Sequence, residues 1–201
     1  MMDTIRSTSV ICWQKCKSCR DRIRTPLGRI VVTAANIDTT SRHTVYMAAL
    51  EHVLDPEVPV LSVVAFGMVR GVSIKDDGGV EVALTPTYTG CPATKLLEEN
   101  IKSALMDAGA QCVRVVIQLS PAWTTDWMSE AGREKLKAYG IAPPVGKAGG
   151  RAALLGLPEG VGCPQGGSAN TKVVSEFGST ACKALYQCSD CLEPFDYFKC
   201  I

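Results

Sequence analysis

The sequence has little that would tie it to a membrane or to a polyanion. No run of about 18 apolar residues occurs in its 201 positions, so no transmembrane helix is expected. Charge of neither sign is in excess. The 21 Lys and Arg nearly cancel the 20 Asp and Glu, a formal balance of +1, so neither nucleic acid nor an anionic membrane is an expected partner. Histidine is scarce. His43 and His52 stand isolated, and no Ser/His/Asp or Cys/His pairing can be assembled from their spacing. The opening stretch MMDTIRSTSVICWQKCKSC has no continuous apolar core and no small-residue cleavage site, which leads us to expect no secretory leader and a cytoplasmic location.

Cysteine, by contrast, is plentiful. Ten are present, at 12, 16, 19, 91, 112, 163, 182, 188, 191 and 200. Without an export signal, and with CxxC spacing in the chain, they favour metal binding or thiol chemistry over a disulfide framework. A 46% hydrophobic and 20% charged composition is that of a globular protein able to bury a core, as one large domain or two small ones.

Four stretches follow along the chain, in an α+β arrangement. Residues 1–46 carry eight Lys or Arg against three Asp, which makes them +5 and leaves −4 for residues 47–201. They show no long helical or alternating period and are expected to form a basic, poorly ordered extension. A chain starting at Met47 is therefore expected to suffice.

Residues 47–139 read as one domain, a small sheet with packed helices. A short helix over 44–54 must end by Asp55, because Asp55-Pro56 and Val58-Pro59 disfavour helical geometry. Strands at 68–74 and 80–86 flank the turn Asp76-Asp77-Gly78-Gly79. An amphipathic helix over 92–108, with Leu97, Ile101 and Leu105 on one face, stops at Gly109. A strand over 112–119 and a short helix over 129–138 complete the domain. Residues 140–162 hold ten Gly or Pro and read as a linker. The last 39 residues, 163–201, show three short strands, at 171–177, 184–188 and 195–199, in a zinc-ribbon-like β unit too small to fold without a staple.

Two constellations carry candidate chemistry. In Thr85-Pro86-Thr87-Tyr88-Thr89-Gly90-Cys91-Pro92, Cys91 is placed at the N-cap of a helix with Pro92 in its first turn. Unpaired N–H groups there would favour a thiolate. The competing reading is a buried, inert cysteine, and Gly90, which permits a tight turn, favours the reactive one. In the second, Cys188-Ser189-Asp190-Cys191 forms a knuckle for one ion, and its partner Cys163-Pro164-Gln165-Gly166 lacks the second cysteine. Three ligands remain where tetrahedral zinc takes four, so Cys182 and Cys200 are the candidates for the fourth. A degenerate, metal-free ribbon is the alternative. A third spacing, Cys12-x3-Cys16-x2-Cys19, formally matches a radical-SAM cluster motif, but the chain has no room for the surrounding barrel, and we read it as coincidence.

Residues 50–75, with Asp55-Pro56-Glu57-Val58-Pro59-Val60 and Gly67-Met68-Val69, together with TPTYTGCPAT, resemble the domain shared by SufT-type and cytosolic iron–sulfur assembly factors. The later segments PAWTTDWM and SEFGSTACKALYQCSDCLEPFDYFKCI are similar to the D-protein family of bacterial phenylacetate degradation. The resemblance covers about 47–201. It implies a non-catalytic accessory factor that helps mature the phenylacetyl-CoA epoxidase, a di-iron oxygenase with an iron–sulfur reductase, or else a structural or regulatory subunit of it. It further implies a functional role for Cys91, with transient iron or a cluster there, and for the acidic pair Asp55 and Glu57. A ribbon holding zinc or iron is implied too, although Gly166 departs from the family's CPxC pattern.

Overall fold

A computed structural model describes residues 39–145, 158 and 160–199. Helix α1 spans Thr39–Leu50 and buries Tyr46 and Leu50. It begins before the expected boundary at Met47, so the last residues of the stretch taken as an unordered extension are helical. The reason is packing: Tyr46, only 2% exposed, is part of the main core, and a weakly periodic segment folds around one such anchor. Residues 1–38 lie outside the described residues. A chain starting at Met47 should therefore be less stable than one starting at Asp38, by roughly 3 kcal/mol for the loss of a buried aromatic. Urea unfolding of the two measures the difference, and equal midpoints would mean that Tyr46 adds nothing.

After α1 the chain makes a compact loop before strand β1 (Val69–Ile74). Asp55 Oδ1 ties that loop, accepting from the N–H groups of Glu57 at 2.8 Å and Val58 at 2.9 Å. Strand β2 (Val80–Leu84) pairs antiparallel with β1. The turn between them is held where Asp77 Oδ1 accepts from the Gly79 N–H, as the Asp-Gly chemistry of that turn predicts. Helix α2 (Thr94–Asp107) then crosses over to β3 (Val113–Ile117), which lies parallel to β2, for a sheet order β1-β2-β3. Leu97, Ile101 and Leu105 are the buried face of α2, as its period predicts. Its end at Gly109 is a full Schellman motif, with the Gly109 N–H donating to the Met106 carbonyl and Ala110 N–H to that of Leu105. A short 3-10 turn (Thr125–Trp127) and helix α3 (Glu130–Ala138), capped by Ser129, close this lobe.

The second lobe is an antiparallel sheet of β4 (Thr171–Ser175), β5 (Lys183–Cys188) and β6 (Pro194–Phe198), in the order β4-β5-β6. Its own core gathers Ala142, Val161, Tyr186, Phe195 and Tyr197 beside Cys163 and Cys188.

The expected linker, 140–162, is packed at both of its described ends. Ala142 bridges to Tyr197, donating its N–H to Asp196 and accepting from Phe198, and Ile141, Ala142 and Val161 are buried. The two sheets also share core. Phe198 of β6 is fully buried in the first lobe's cluster, with its ring 5.5 Å from Phe66 and 6.0 Å from Trp123. The ribbon is fastened to the first lobe as well as tethered, so a metal is not its sole staple. Residues 38–201 form one compact unit.

Candidate functional site

The first site is assembled from three chain segments: the loop 55–58, the turn 85–93 and the start of β5. Asp55 is 6% exposed, and its Oδ1 serves the loop backbone. Burial raises its proton affinity above the usual carboxylate range, against the pull of those two N–H groups and Lys183. Glu57 is half-buried. Its carboxyl is also raised, first by burial and then by the Asp55 charge. The acidic pair is therefore placed differently: Asp55 is buried and holds the loop, and Glu57 is partly exposed.

Cys91 is buried, and the structure corrects its expected place. Helix α2 has its N-cap at Ala93, not at Cys91, so the thiol meets the Ala93 N–H alone of that terminus. Burial pushes the thiol's pKa up, and the Glu57 and Asp55 charges push the same way. The Ala93 N–H and a hydrogen bond with the Tyr88 hydroxyl oppose them without prevailing. The sequence predicts a thiolate favoured by a helix end. A protonated thiol is what the surroundings favour, because desolvation and two neighbouring carboxyls outweigh one amide. Gly90 does take the left-handed backbone its turn needs, with φ +86°.

Tyr88, which sequence reasoning passed over although it lies three residues before Cys91, is pushed up to about 12, chiefly by burial and next by Cys91. It stays a neutral hydrogen-bonding partner of the sulfur. In the same turn Thr85 Oγ1 is buried with no hydrogen-bond partner. His52 is exposed and bonds the Ala48 carbonyl oxygen through Nδ1, and His43 is exposed on α1. Neither figures among the groups acting on Cys91.

Cys182, a candidate fourth ribbon ligand, is placed elsewhere. It is 3% exposed and packs into the first lobe's core, with its sulfur 3.1 Å from Thr180 Oγ1. The next residue, Lys183, reaches the Glu57 carbonyl at 3.5 Å and pairs with Asp196 at 3.5 Å. No local signal marks this. Position within the last 39 residues assigns Cys182 to the ribbon, and packing assigns it to the neighbouring lobe.

The second site is the ribbon's thiol cluster. The sulfurs of Cys163, Cys188 and Cys191 all lie within 4.8 Å of one another, the one such group among the described residues. Cys163 and Cys191 sulfurs are 3.8 Å apart. With a zinc–sulfur bond of about 2.3 Å, a tetrahedral edge measures roughly 3.8 Å, so the three thiols fit such an ion. The Cys191 and Asp190 N–H groups lower the Cys188 thiol, the first more strongly. Cys200 lies outside the described residues.

The two knuckles share one backbone course. Cys163 and Cys188 each donate an N–H to the carbonyl five residues on, at Ser168 and Glu193. The residue four on is left-handed in both, Gly167 at φ +70° and Leu192 at φ +65°. Gly166 thus occupies the counterpart of Cys191, with its N–H 3.5 Å from Cys163 Sγ. A Cβ built there meets nothing within 4 Å. Gly166→Cys should accordingly raise zinc affinity by about tenfold or more in chelator competition on the full chain. Unchanged affinity would mean that the fourth position is already filled.

Comparison with known proteins follows the same division. A family described as iron-sulfur cluster assembly protein matches residues 42–119, and one described as PaaD zinc beta ribbon domain matches residues 148–199. The chain is 52% identical over 154 residues, 77% of its length and 90% of the relative's, to the D subunit of the "Putative 1,2-phenylacetyl-CoA epoxidase" of Escherichia coli (strain K12). It is 38% identical over 84 residues to "Fe-S protein maturation auxiliary factor YitW" of Bacillus subtilis (strain 168), covering 41% of this chain and 81% of that protein. It is 36% identical over 78 residues to "Fe-S protein maturation auxiliary factor SufT" of Staphylococcus aureus (strain USA300), covering 38% of this chain and 88% of that protein.

Proposed function

The chain belongs to the PaaD family, that of the phenylacetyl-CoA epoxidase D proteins, and on that premise we propose that it is an accessory factor that helps install iron or an iron–sulfur cluster in the epoxidase. The observation that carries this reading is the position of Cys91, a buried thiol in the turn before α2, inside the stretch 42–119 that matches the iron-sulfur cluster assembly family. Burial raises the proton affinity of this thiol, and a cation would take the place of that proton on binding. That is the behaviour of a ligand that takes up and gives back a soft or borderline metal. The first-lobe relatives, whose names describe iron–sulfur maturation, support the same direction.

In this reading the ribbon thiols Cys163, Cys188 and Cys191 hold zinc, with iron as the alternative. The ion would cross-link the two knuckles, adding to the hold of the ribbon's own core and of its packing on the first lobe. Asp55 holds the loop that carries Glu57, Glu57 supplies a carboxylate, and Tyr88 orients the Cys91 sulfur. The client is a component of the epoxidase, either the di-iron oxygenase or its iron–sulfur reductase.

Epoxidase purified from cells lacking this protein should contain less iron or acid-labile sulfide per complex, and recover it when the protein is supplied. One observation favours a second reading, a structural or regulatory subunit: the name of the 52% identical relative makes it a subunit of the epoxidase. A full metal complement without the protein, together with its co-purification at fixed stoichiometry, would establish that reading and overturn ours.

A further inference from the structure

The two ribbon knuckles are joined by more than their thiols. Asp190 sits inside the second knuckle, between Cys188 and Cys191, and its carboxylate reaches across to the first. One oxygen accepts from the Ser168 hydroxyl and the other from the Asn170 side-chain amide at 2.7 Å. Beside this contact the Ser189 N–H donates to the Asn170 carbonyl at 2.8 Å. Ser168 closes the circuit. Its carbonyl accepts the Cys163 N–H at 2.9 Å, and its hydroxyl oxygen accepts the Asn170 N–H at 3.0 Å. Ser168 therefore joins the Asp190 carboxylate directly to the backbone that carries Cys163.

Gly166 gives this contact a purpose. In a ribbon with two thiols on each knuckle, a shared ion is held at two points from either side, and the knuckles need no other restraint. Here the first knuckle contributes Cys163 alone to the trio. A single bond would leave that knuckle free to swing about its sulfur, so the restraint has to come from the protein.

We propose that Asp190 is a positioning residue for the ribbon's metal site. By gripping Ser168 and Asn170 it holds the Cys163 knuckle against the Cys188–Cys191 knuckle, so that the three thiols are gathered before an ion binds. This rests on the reading of the trio as a zinc site and names what lets three thiols serve in place of four. Hydrogen bonds to both oxygens of a carboxylate are strong and directional, which suits a clamp. The groups are exposed, so they add little to the stability of the fold, and their effect falls on affinity for the ion.

The test measures zinc affinity by chelator competition on the full, reduced chain, with cobalt(II) absorption as a second readout. Asp190→Ala should bind zinc about tenfold more weakly than wild type, while the metal-free protein melts within a few degrees of it. A double variant, Ser168→Ala with Asn170→Ala, keeps the carboxylate but removes its donors and should lose as much. In the Gly166→Cys background the first knuckle holds the ion at two points, so Asp190→Ala should cost no more than about twofold there. A residue that merely supported the fold would cost the same in both backgrounds. At saturation the Asp190→Ala cobalt complex should keep the wild-type sulfur-to-metal absorption, since no ligand is removed.

Wild-type affinity in Asp190→Ala, or an equal loss in both backgrounds, would overturn the clamp and leave the zinc site standing. Full affinity in the Ser168 and Asn170 double variant, beside a loss in Asp190→Ala, would mean that charge acts and not the grip, and would overturn it too. No zinc uptake by the wild type would remove the ribbon's metal site, and the positioning role with it.

Discussion

Cys91→Ser is expected to abolish support of epoxidase activity while the protein stays folded. The substitution keeps a small polar side chain that can still hydrogen-bond Tyr88 and the Ala93 N–H, the two groups that engage the sulfur. The stability cost of such a swap at a largely buried position should be about 1 kcal/mol. What disappears is the one property a hydroxyl cannot imitate, loss of a proton to a metal at neutral pH. Phenylacetate-dependent growth should fall to the level of a strain lacking the protein, with a melting temperature within a few degrees of wild type. Cys91→Ala separates packing from chemistry, since it fills much of the same space without any donor atom. Full growth with either variant would remove Cys91 from the function. Gross unfolding of both would make it a core cysteine and nothing more.

The second large effect concerns Phe198, whose ring lies 5.5 Å from that of Phe66 and 6.0 Å from that of Trp123. Trimming it to alanine removes a fully buried aromatic and leaves a cavity where the two lobes share core. We expect a loss of roughly 3–5 kcal/mol, a large part of the stability of a small protein. The form of the loss matters more than its size. Wild type should unfold in a single transition when indole fluorescence reports the first lobe and release of zinc reports the ribbon. Phe198→Ala should split them, with the ribbon opening first. Coincident, unshifted transitions in the variant would show that the lobes are joined by other contacts. The same shared core means that the ribbon cut out as an isolated fragment would expose Phe198 and Cys182, so its metal binding is better measured in the whole chain.

Local chemistry made much of this molecule legible in advance. The Asp-Gly turn between β1 and β2, the apolar stripe of α2 and its arrest at Gly109 all depend on residues within a turn or two of one another. Short-range forces settle such features whatever surrounds them. The three ribbon strands and the three thiols at 163, 188 and 191 were legible for a related reason, because knuckle spacing is itself a local geometry.

Tertiary structure alone decided the rest. Tyr46 draws α1 back to Thr39 because a core is there to receive its ring. The Cys91 thiol is pushed up because a buried environment and two carboxyls, brought by segments far apart in sequence, outweigh the single amide that its own helix offers. Cys182 reads as a ribbon ligand by position and joins the first lobe's core by packing. In each case the determining term is desolvation or a contact across the two lobes. Both depend on which surfaces meet when the chain closes, and no window of sequence contains that information.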